Sequence, residues 1–538
     1  MRREPLSGLA DRGALVCAIA VGALLRFAYL PNRGLIYWDE AKFGLEGQRM
    51  LAGLQSLSGE PVSMLTGKSV GTAKPGHALL VGVSYAIFGV HDYAPLLMNA
   101  TFSLGAIVLI YLIGARLFGP LVGALSALLL AASEYDVIYA RSALSESDAN
   151  TLFLAAVLCW LVSERRNQRV AAIDRQLAPG CWRYRAAAAL LLGSAFTVNY
   201  RLIVYAAILI VLDLVPRVMS SQWRDVLRTG MVWAAGAATP VLLWQGIDVA
   251  SHTAGVNLFG DELRGGWLPY ARQILYQLHQ GKQSVIRVSF VPYLQWFVVR
   301  QGWPYAVATA LSVLLAAHRR TFAWVTAAAL VLAPYGVFTF APFYVPRNLS
   351  PSVPFTALLI AAGVGWAAER SRRAGILAVG ITLVLGAAGT VMSWRLTAER
   401  SGFSVAAGYV RAHHSQPITS TEIMVFYFAG AGRTCLAPAL PLEPAALGAY
   451  ARAGFNYAVV ERHNGSATVT YLTHHARLAT SIPTLGDLDI GESPISSENS
   501  APPGGSARGE YVRIYDISGL SRLGKGSRII PCNRDRVT

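Results

Sequence analysis

Thirteen residues, His77-Ala-Leu-Leu-Val-Gly-Val-Ser-Tyr-Ala-Ile-Phe-Gly89, determine how the chain is threaded through a membrane. They are apolar enough to enter a bilayer, but a helix needs about 20 residues to cross one. Whether this segment crosses decides the side on which every later polar loop lies. Lys74-Pro75 precedes it and His91-Asp92 follows it, and neither end carries an arginine cluster.

The composition explains why a membrane is the relevant solvent. Of the 538 residues, 54% are hydrophobic and 14% are charged, whereas soluble domains carry about 25% charged residues. The 46 basic and 30 acidic residues give a net charge of +16, with the arginines in short clusters between apolar runs. This pattern is typical of the cytoplasmic loops of a polytopic membrane protein. We expect membrane lipid as a partner and no nucleic acid.

Counting the crossings indicates which apolar segment does not span. Twelve segments are present, near 14–30, 76–90, 94–115, 120–133, 149–163, 186–199, 202–216, 230–247, 303–317, 321–341, 352–368 and 375–394. Arginine clusters at 2–12 and 165–185 should both lie inside, so an even number of crossings must separate them. Five segments lie between them. We predict that 76–90 is the exception and lies as a helix at the outer surface.

The predicted fold is therefore mainly α. A bundle of about eleven membrane helices occupies residues 1–394, with outer loops at 31–93, 134–148, 248–302 and 342–351. Helix-like and strand-like runs alternate over 395–538, which predicts an α/β domain there. The parity of the crossings puts this domain on the non-cytoplasmic side of a cell (inner or plasma) membrane. Helices are expected at Phe403–His413 and Ala445–Ala453, and strands at Glu422–Phe428, Tyr457–Glu461 and Tyr511–Ile517. A disulfide between Cys435 and Cys532 is a hypothesis.

Charged side chains converge on the outer face in this layout. They include Asp39, Glu40, Lys74, His77, Arg141, Glu146, Asp148, Arg201 and Arg347. A departing phosphate requires fixed cations and an attacking hydroxyl requires a carboxylate base, so a lipid-linked phosphate at the membrane surface would suit this set. Structural interpretations stay open: Lys74 could snorkel to the interface, Arg141 could pair with Asp148, and His77 could be a packed side chain.

The order of short motifs resembles that of a known family. Asp39-Glu40, then Lys74-Pro75, then Ile87-Phe88-Gly89 ahead of a long span is similar to the GT-C-fold membrane glycosyltransferases. The nearest groups are the dolichyl-phosphate-mannose protein mannosyltransferases and the aminoarabinose transferases of lipid A. Further similarities are Arg116-Leu-Phe-Gly119, the stretch from Tyr139 to Asp148, Asn199-Tyr200-Arg201, and the stretch from Arg347 to Pro354.

The resemblance implies a transfer of a sugar, with inversion, from a polyprenyl-phosphate donor to a hydroxyl on the outer face. The acceptor could be a lipid, a polysaccharide or a protein. Asp39 would be the base and Asp148 a second catalytic residue, while Lys74, Arg201 and Arg347 would bind the donor phosphate. The residues expected to contact substrate are Tyr37, Trp38, Glu40, Arg141, Tyr200 and Tyr344.

Two matters stay open at this point. In the aminoarabinose branch the residue before the Lys-Pro pair is an acidic metal ligand, but here it is Ala73. No cofactor is certain, and a divalent metal would have Glu40 and His77 as candidate ligands. The alternative functions are a transporter or flippase for a lipid-linked substrate, and a family member without catalysis. A transporter would need ionisable residues near the middle of the membrane, where few are found.

Overall fold

The computed structural model describes most of the helical region and parts of the C-terminal region. The described residues are 6–57, 74–171, 181–253, 290–340, 346–413, 416–419, 435–436, 444–452, 454–460, 466–483 and 511–522. The first ten helices are α1 Leu6–Phe27, α2 Trp38–Leu57, α3 Pro75–Phe88, α4 Tyr93–Leu117, α5 Pro120–Ala131, α6 Glu134–Ala140, α7 Glu146–Ala171, α8 Cys181–Val198, α9 Ile203–Met219 and α10 Trp223–Thr253. The next five are α11 Phe290–Gln301, α12 Trp303–Arg319, α13 Phe322–Thr339, α14 Val353–Arg370 and α15 Arg372–Trp394.

Seven segments of the described chain are long and apolar enough to cross a membrane. They are Gly13–Asn32, Tyr93–Leu117, Tyr200–Met219, Trp223–Ile247, Phe322–Thr339, Arg347–Arg370 and Arg372–Ala398. Together, α5 and α6 would make an eighth span with a 61° bend. The three remaining predicted spans correspond to α7, α8 and α12, which are not among these segments. The chain is a multi-span helical membrane protein, and the count of eleven stays a prediction.

Helix α3 is the segment on which the predicted topology depends. Its 14 residues make a rod about 21 Å long, shorter than the hydrocarbon layer of about 30 Å. Pro75 occupies its first position and Gly89, with φ of 81°, ends it. It packs closely on α2, since a Cβ on Gly47 would lie 2.3 Å from Val81 Cγ1. This length agrees with a helix that does not cross.

The chain bends at the break between α5 and α6. Ser133 begins α6, and its Oγ accepts a hydrogen bond from the Asp136 backbone N–H at 3.3 Å. The buried Arg26 donates to the Ala131 carbonyl at 2.9 Å and pairs with Asp136 at 2.6 Å. The exposed carbonyls of a helix end need such donors. Arg26 therefore stabilises the bend that leads into the loop before α7.

A mixed sheet forms the C-terminal region. Its strands, β1 Gln416–Thr419, β2 Cys435–Leu436, β3 Phe455–Val460, β4 Arg477–Pro483 and β5 Tyr511–Asp516, are ordered β2-β1-β3-β5-β4. Strands β2, β1 and β3 run parallel, and β5 is antiparallel to both β3 and β4. The helices are α16 Gly402–Ala412, α17 Pro444–Arg452 and α18 Ser466–His475.

The expected elements of this region agree with four observed ones. Both predicted helices are found, as α16 and α17, and two predicted strands are found, as β3 and β5. The predicted strand Glu422–Phe428 and Cys532 lie outside the described residues, so the disulfide stays a hypothesis. The domain boundary at residue 394 coincides with the end of α15, but the division into two domains stays a prediction.

The sheet rests on the first outer loop. Leu30 and Leu35 share one hydrophobic cluster with Val410, Val512 and Ile514. Two polar contacts reinforce this packing. The Ser401 backbone N–H donates to the Arg33 carbonyl at 2.7 Å, and Arg33 Nε lies 3.0 Å from Glu399 Oε2. The C-terminal region therefore packs against the same loop that carries Asp39.

Candidate functional site

Helix α2 begins with the two adjacent carboxylates, and Glu40 secures that beginning. Glu40 Oε2 accepts hydrogen bonds from the backbone N–H groups of Ile36 at 2.6 Å and Tyr37 at 2.8 Å. Its Oε1 accepts from Arg33 at 2.8 Å and from the Ala143 backbone N–H at 2.8 Å. A Glu that reaches back to the start of its helix is half of a capping box. Glu40 is fully buried and stabilises the start of α2, and its contact with substrate stays a prediction.

Asp39 points to a different partner. Its Oδ2 lies 2.8 Å from Arg347 Nη2, and its side chain is 20% exposed. Burial alone would raise the pKa of Asp39, but the positive charges of Arg347, Lys74 and Lys42 hold it well below its usual value. Asp39 is therefore an ionised carboxylate beside a guanidinium, reachable from outside the protein.

Lys74 supplies a second cation. Its Nζ donates to Ser145 Oγ at 2.6 Å and lies 4.8 Å from the centroid of the Phe43 ring. Burial, together with the nearby charges of Arg201 and Arg347, lowers the pKa of Lys74 to about 7, while Glu146 and Asp39 act in the opposite direction. An anion that binds near Lys74 stabilises its protonated form.

Glu146 is one of the predicted outer charged residues, but the sequence assigns it no role. It is the first residue of α7 and only 1% exposed. Its Oε1 lies 3.5 Å from Asn199 Nδ2 and 3.8 Å from Arg347 Nε. The N-terminus of a helix stabilises negative charge, which explains a carboxylate at this place.

Arg201 completes the group from a 3-10 turn, Tyr200–Leu202. Asn199 Oδ1 accepts from the Arg201 backbone N–H at 3.2 Å, and the guanidinium lies 5.9 Å from the centroid of the Tyr200 ring. Its Nη1 is buried and has no hydrogen-bond partner among the described residues. Arg201 acts electrostatically on Lys74. We call Asp39, Lys74, Glu146, Arg201 and Arg347 the outer cluster.

His77 and Asp148 form a separate buried pair. His77 Nδ1 lies 2.7 Å from Asp148 Oδ2, and its Nε2 lies 3.1 Å from the Ala143 carbonyl oxygen. Both side chains are fully buried. The pair holds α3 against the start of α7. In this arrangement Asp148 is paired with His77, and its catalytic role stays a prediction.

The remaining predicted residues lie elsewhere. Arg141 does not meet Asp148, because its Nη1 donates to the carbonyls of Leu25, Arg26 and Ala28 and so caps the end of α1. Tyr37 is buried in the main hydrophobic cluster. The substrate contacts of Tyr37 and Arg141 stay predictions. Tyr344 and the side chain of Trp38 lie outside the described residues.

The described residues do not offer a divalent metal a set of ligands. Within the described ranges, no three His, Cys, Asp or Glu side chains are grouped to hold one ion. Both oxygens of Glu40 are occupied by N–H donors, and both ring nitrogens of His77 face oxygen atoms. Neither candidate ligand fits, and no step of the reaction is assigned to a metal.

An apolar groove lies between α9 and α13. It has a volume of about 490 Å³. Its lining includes Ile203, Ala207 and Val211 on one side and Ala333 and Val337 on the other. Ile203 follows Arg201 by two residues in the sequence. The groove therefore runs along two membrane helices, one of which begins next to the turn that carries Arg201.

The chain is similar to known proteins in one part of its sequence and in its fold. The family model described as dolichyl-phosphate-mannose-protein mannosyltransferase matches residues 72–244. The crystal structure of ArnT from Cupriavidus metallidurans bound to undecaprenyl phosphate is similar, with a TM-score of 0.59, 13% identity, and coverage of 96% of this chain and 99% of that one. A comparison with curated protein sequences finds no match.

Two structures of the oligosaccharyltransferase from Archaeoglobus fulgidus are also similar. The apo form has a TM-score of 0.58 at 13% identity, and covers 90% of this chain and 72% of that one. The AglB complex with an inhibitory peptide and a dolichol-phosphate has a TM-score of 0.58 at 11% identity, with coverages of 97% and 78%. The predicted resemblance is confirmed: the chain has the fold of the GT-C membrane glycosyltransferases.

Proposed function

We propose that this protein transfers a sugar from a polyprenyl-phosphate donor to a hydroxyl group of an acceptor on the non-cytoplasmic face. The observation that carries the proposal is the outer cluster itself. It joins a reachable carboxylate, Asp39, to three cations, and an apolar groove runs along α9, the helix that begins two residues after Arg201. A phosphate with a long hydrocarbon chain matches both parts of this site at once.

Asp39 is the base in this proposal. The acceptor oxygen attacks the anomeric carbon, and its proton passes to the Asp39 carboxylate. The bond between the anomeric carbon and the phosphate oxygen breaks, and its electron pair leaves with the polyprenyl phosphate. Attack from the face opposite the leaving group inverts the configuration at that carbon.

The three cations act on the leaving group. Negative charge develops on the phosphate oxygen as the bond to sugar breaks, and fixed positive charges in a water-poor site stabilise it. Lys74 and Arg201 lie within electrostatic reach of each other, and Arg347 acts on Lys74 as well. The buried Nη1 of Arg201, which has no partner in the described part of the chain, is suited to a phosphate oxygen.

Asp39 and the phosphate compete for Arg347. In the free protein Arg347 pairs with Asp39 at 2.8 Å, which keeps that carboxylate a weak base. A phosphate that draws the guanidinium toward itself raises the pKa of Asp39 and strengthens the base. The donor would in this way prepare Asp39 for the acceptor.

The groove supports a polyprenyl carrier. Similar structures carry undecaprenyl phosphate in ArnT and a dolichol-phosphate in AglB. In this chain the groove is lined by side chains such as Ala207, Val211 and Ala333, which offer an isoprenoid chain contact without polar groups. Burial of apolar surface gives about 25 cal/mol per Å², so the carrier contributes to donor affinity.

A test supplies purified protein with a panel of polyprenyl-phosphate sugars and with lipid, polysaccharide and protein acceptors that carry hydroxyl groups, and measures sugar-dependent release of polyprenyl phosphate. Asp39→Asn keeps the size of the side chain but cannot take a proton. We expect kcat to fall by about 10²- to 10⁴-fold, with binding of undecaprenyl phosphate retained. Asp92→Asn is the matched control, because Asp92 begins α4 in the same outer loop and Asn preserves a helix cap.

The outcomes of this test are distinct. Turnover by the parent protein, its loss in Asp39→Asn and its retention in Asp92→Asn support the proposal. Normal turnover by Asp39→Asn removes Asp39 as the base. Absence of release with every donor in the panel removes the proposed function as a whole.

A further inference from the structure

The carboxylate of Glu146 has one oxygen that the protein leaves unused. Oε1 faces Asn199 and Arg347, whereas Oε2 is buried and has no hydrogen-bond partner in the described part of the chain. A buried carboxylate oxygen without a donor loses the hydrogen bonds that water would give it, which is unfavourable. A ligand that brings a donor to this oxygen would recover that loss.

The position of Glu146 identifies that ligand. The residue before it, Ser145, accepts the hydrogen bond of Lys74, and Arg347 lies on its other side. A phosphate held by these cations would carry its sugar within reach of Glu146, because only one oxygen atom joins the two. We propose that Glu146 binds the sugar of the donor, with Oε2 accepting a hydrogen bond from a ring hydroxyl. This inference rests on the proposed function and names the substrate class more closely.

The charges of the outer cluster select a neutral sugar. Its three cations face two carboxylates, Asp39 and Glu146. One phosphodiester, with a single negative charge, brings this set to neutrality. Lys42, which is half-buried, adds a further positive charge near Asp39. An amino sugar would bring another cation into a partly dry site, where unbalanced charge is unfavourable. A hydroxyl donates the same hydrogen bond without that charge.

The competing interpretation is that Glu146 only holds Lys74 and Arg347 in place. The two interpretations predict different affinities for undecaprenyl phosphate, which carries no sugar. If Glu146 positions the cations, its neutralisation weakens undecaprenyl phosphate and sugar donor alike. If Glu146 binds the sugar, its neutralisation weakens only the sugar donor, provided that Lys74 stays protonated. Because the charge of Glu146 raises the pKa of Lys74, both affinities are compared at pH 6.

The experiment compares the parent protein with Glu146→Gln and Glu146→Ala in detergent or lipid nanodiscs. We expect KM for a neutral-sugar donor to rise about tenfold in Glu146→Gln and about 100-fold in Glu146→Ala, as for hydrogen bonds to charged groups. The Kd for undecaprenyl phosphate should stay within about threefold or tighten. Glu134→Gln is the matched control, because Glu134 is a buried carboxylate that pairs with Arg300 at 3.2 Å outside the outer cluster.

A second arm needs no variant. The parent protein is given polyprenyl-phosphate donors with a neutral hexose or pentose, and the corresponding amino sugars. We expect kcat/KM to be at least about tenfold higher for the best neutral donor than for its amino counterpart, the ratio that an additional unpaired charge would produce. This arm decides the inference if the variants fail to fold.

Each result has one meaning. Selective loss of sugar-donor affinity, or the preference for neutral donors when variants do not fold, supports the inference. Unchanged KM in both Glu146 variants, equal weakening of undecaprenyl phosphate, or preference for the amino donor overturns it while the proposed transfer stands. Absence of turnover by the parent protein with all donors overturns the proposed function and this inference with it.

Discussion

At the scale of single residues, Lys74 is the cation of the outer cluster whose charge depends most on pH. Guanidinium groups stay protonated at all ordinary pH values, whereas burial and the neighbouring cations lower the pKa of Lys74 to about 7. A phosphate binds the protonated ammonium. The free protein loses that form as the pH rises above 7, so donor affinity should fall with it.

We predict that the Kd of the parent protein for undecaprenyl phosphate rises about tenfold between pH 7.5 and 9, as the charged fraction of Lys74 declines. The second ionisation of the phosphate has a pKa of about 6 and is nearly complete at pH 7.5, so it does not contribute to this change. The Lys74→Arg variant keeps its charge, so its Kd for undecaprenyl phosphate should change by less than about threefold between pH 7.5 and 9. Binding measured by calorimetry at four pH values checks this. An equal loss of affinity in Lys74→Arg would assign the pH dependence to another group.

Helix geometry explains which site residues could be predicted. Asp39, Lys74, Arg201 and Arg347 were all in the predicted set, and the structure brings them together. The sequence places carboxylates side by side, but successive residues of a helix point about 100° apart. Glu40 therefore faces the protein interior while Asp39 faces Arg347.

The same geometry separates Glu146 from Asp148. Two residues apart on α7, they point about 200° apart, so only one of them can face the cations. The charge pattern marks both as outer carboxylates but does not give the rotation of α7 about its axis. That rotation depends on packing, in which Asp148 meets His77 and Glu146 meets Asn199.

At the scale of elements, the close contact of α2 and α3 sets the distance between Asp39 and Lys74. Asp39 begins α2, and Lys74 immediately precedes α3. A Cβ on Gly47 would lie 2.3 Å from Val81 Cγ1 and 3.2 Å from the Gly82 backbone N. Small residues permit such close helix packing. This contact could not be predicted from the sequence, because a glycine does not indicate which helix packs against it.

We predict that Gly47→Ala separates α2 from α3 and lowers both stability and turnover. The added methyl group overpacks the contact, at about 1 to 3 kcal/mol, and moves Asp39 relative to Lys74. Misplacement by about 1 Å can reduce a rate 100-fold, so kcat should fall at least tenfold. Thermal unfolding and release of polyprenyl phosphate are the measurements.

The matched control is Gly246→Ala on α10, where nothing lies within 4 Å of the added methyl group. Alanine is favoured over glycine in a helix by about 1 kcal/mol, so this variant should be as stable as the parent or slightly more so. If Gly47→Ala behaves in the same way, the contact of the two helices does not position the site.

At the scale of the whole molecule, the outer cluster is assembled from parts of the chain that are far apart in sequence. Asp39 and Arg347 are 308 residues apart and form one ion pair. The sheet of the C-terminal region packs on the first outer loop through Leu35 and Val512. All of these elements must lie on one side of the membrane. That requirement is met if α3 does not cross, which the charge pattern predicts and the short length of α3 supports.

We predict that both ends of the segment around α3 are outside. In a chain with its native cysteines replaced, single cysteines at Asn32→Cys and Val90→Cys should react with a membrane-impermeant maleimide in intact cells. Both positions are exposed in the folded chain. Ser371→Cys, exposed beside the arginines that begin α15, should react only after the membrane is permeabilised, because such arginines stay inside. Labelling of Asn32→Cys and Val90→Cys from opposite sides would show that α3 crosses, and would separate the residues that the proposed reaction requires on one face.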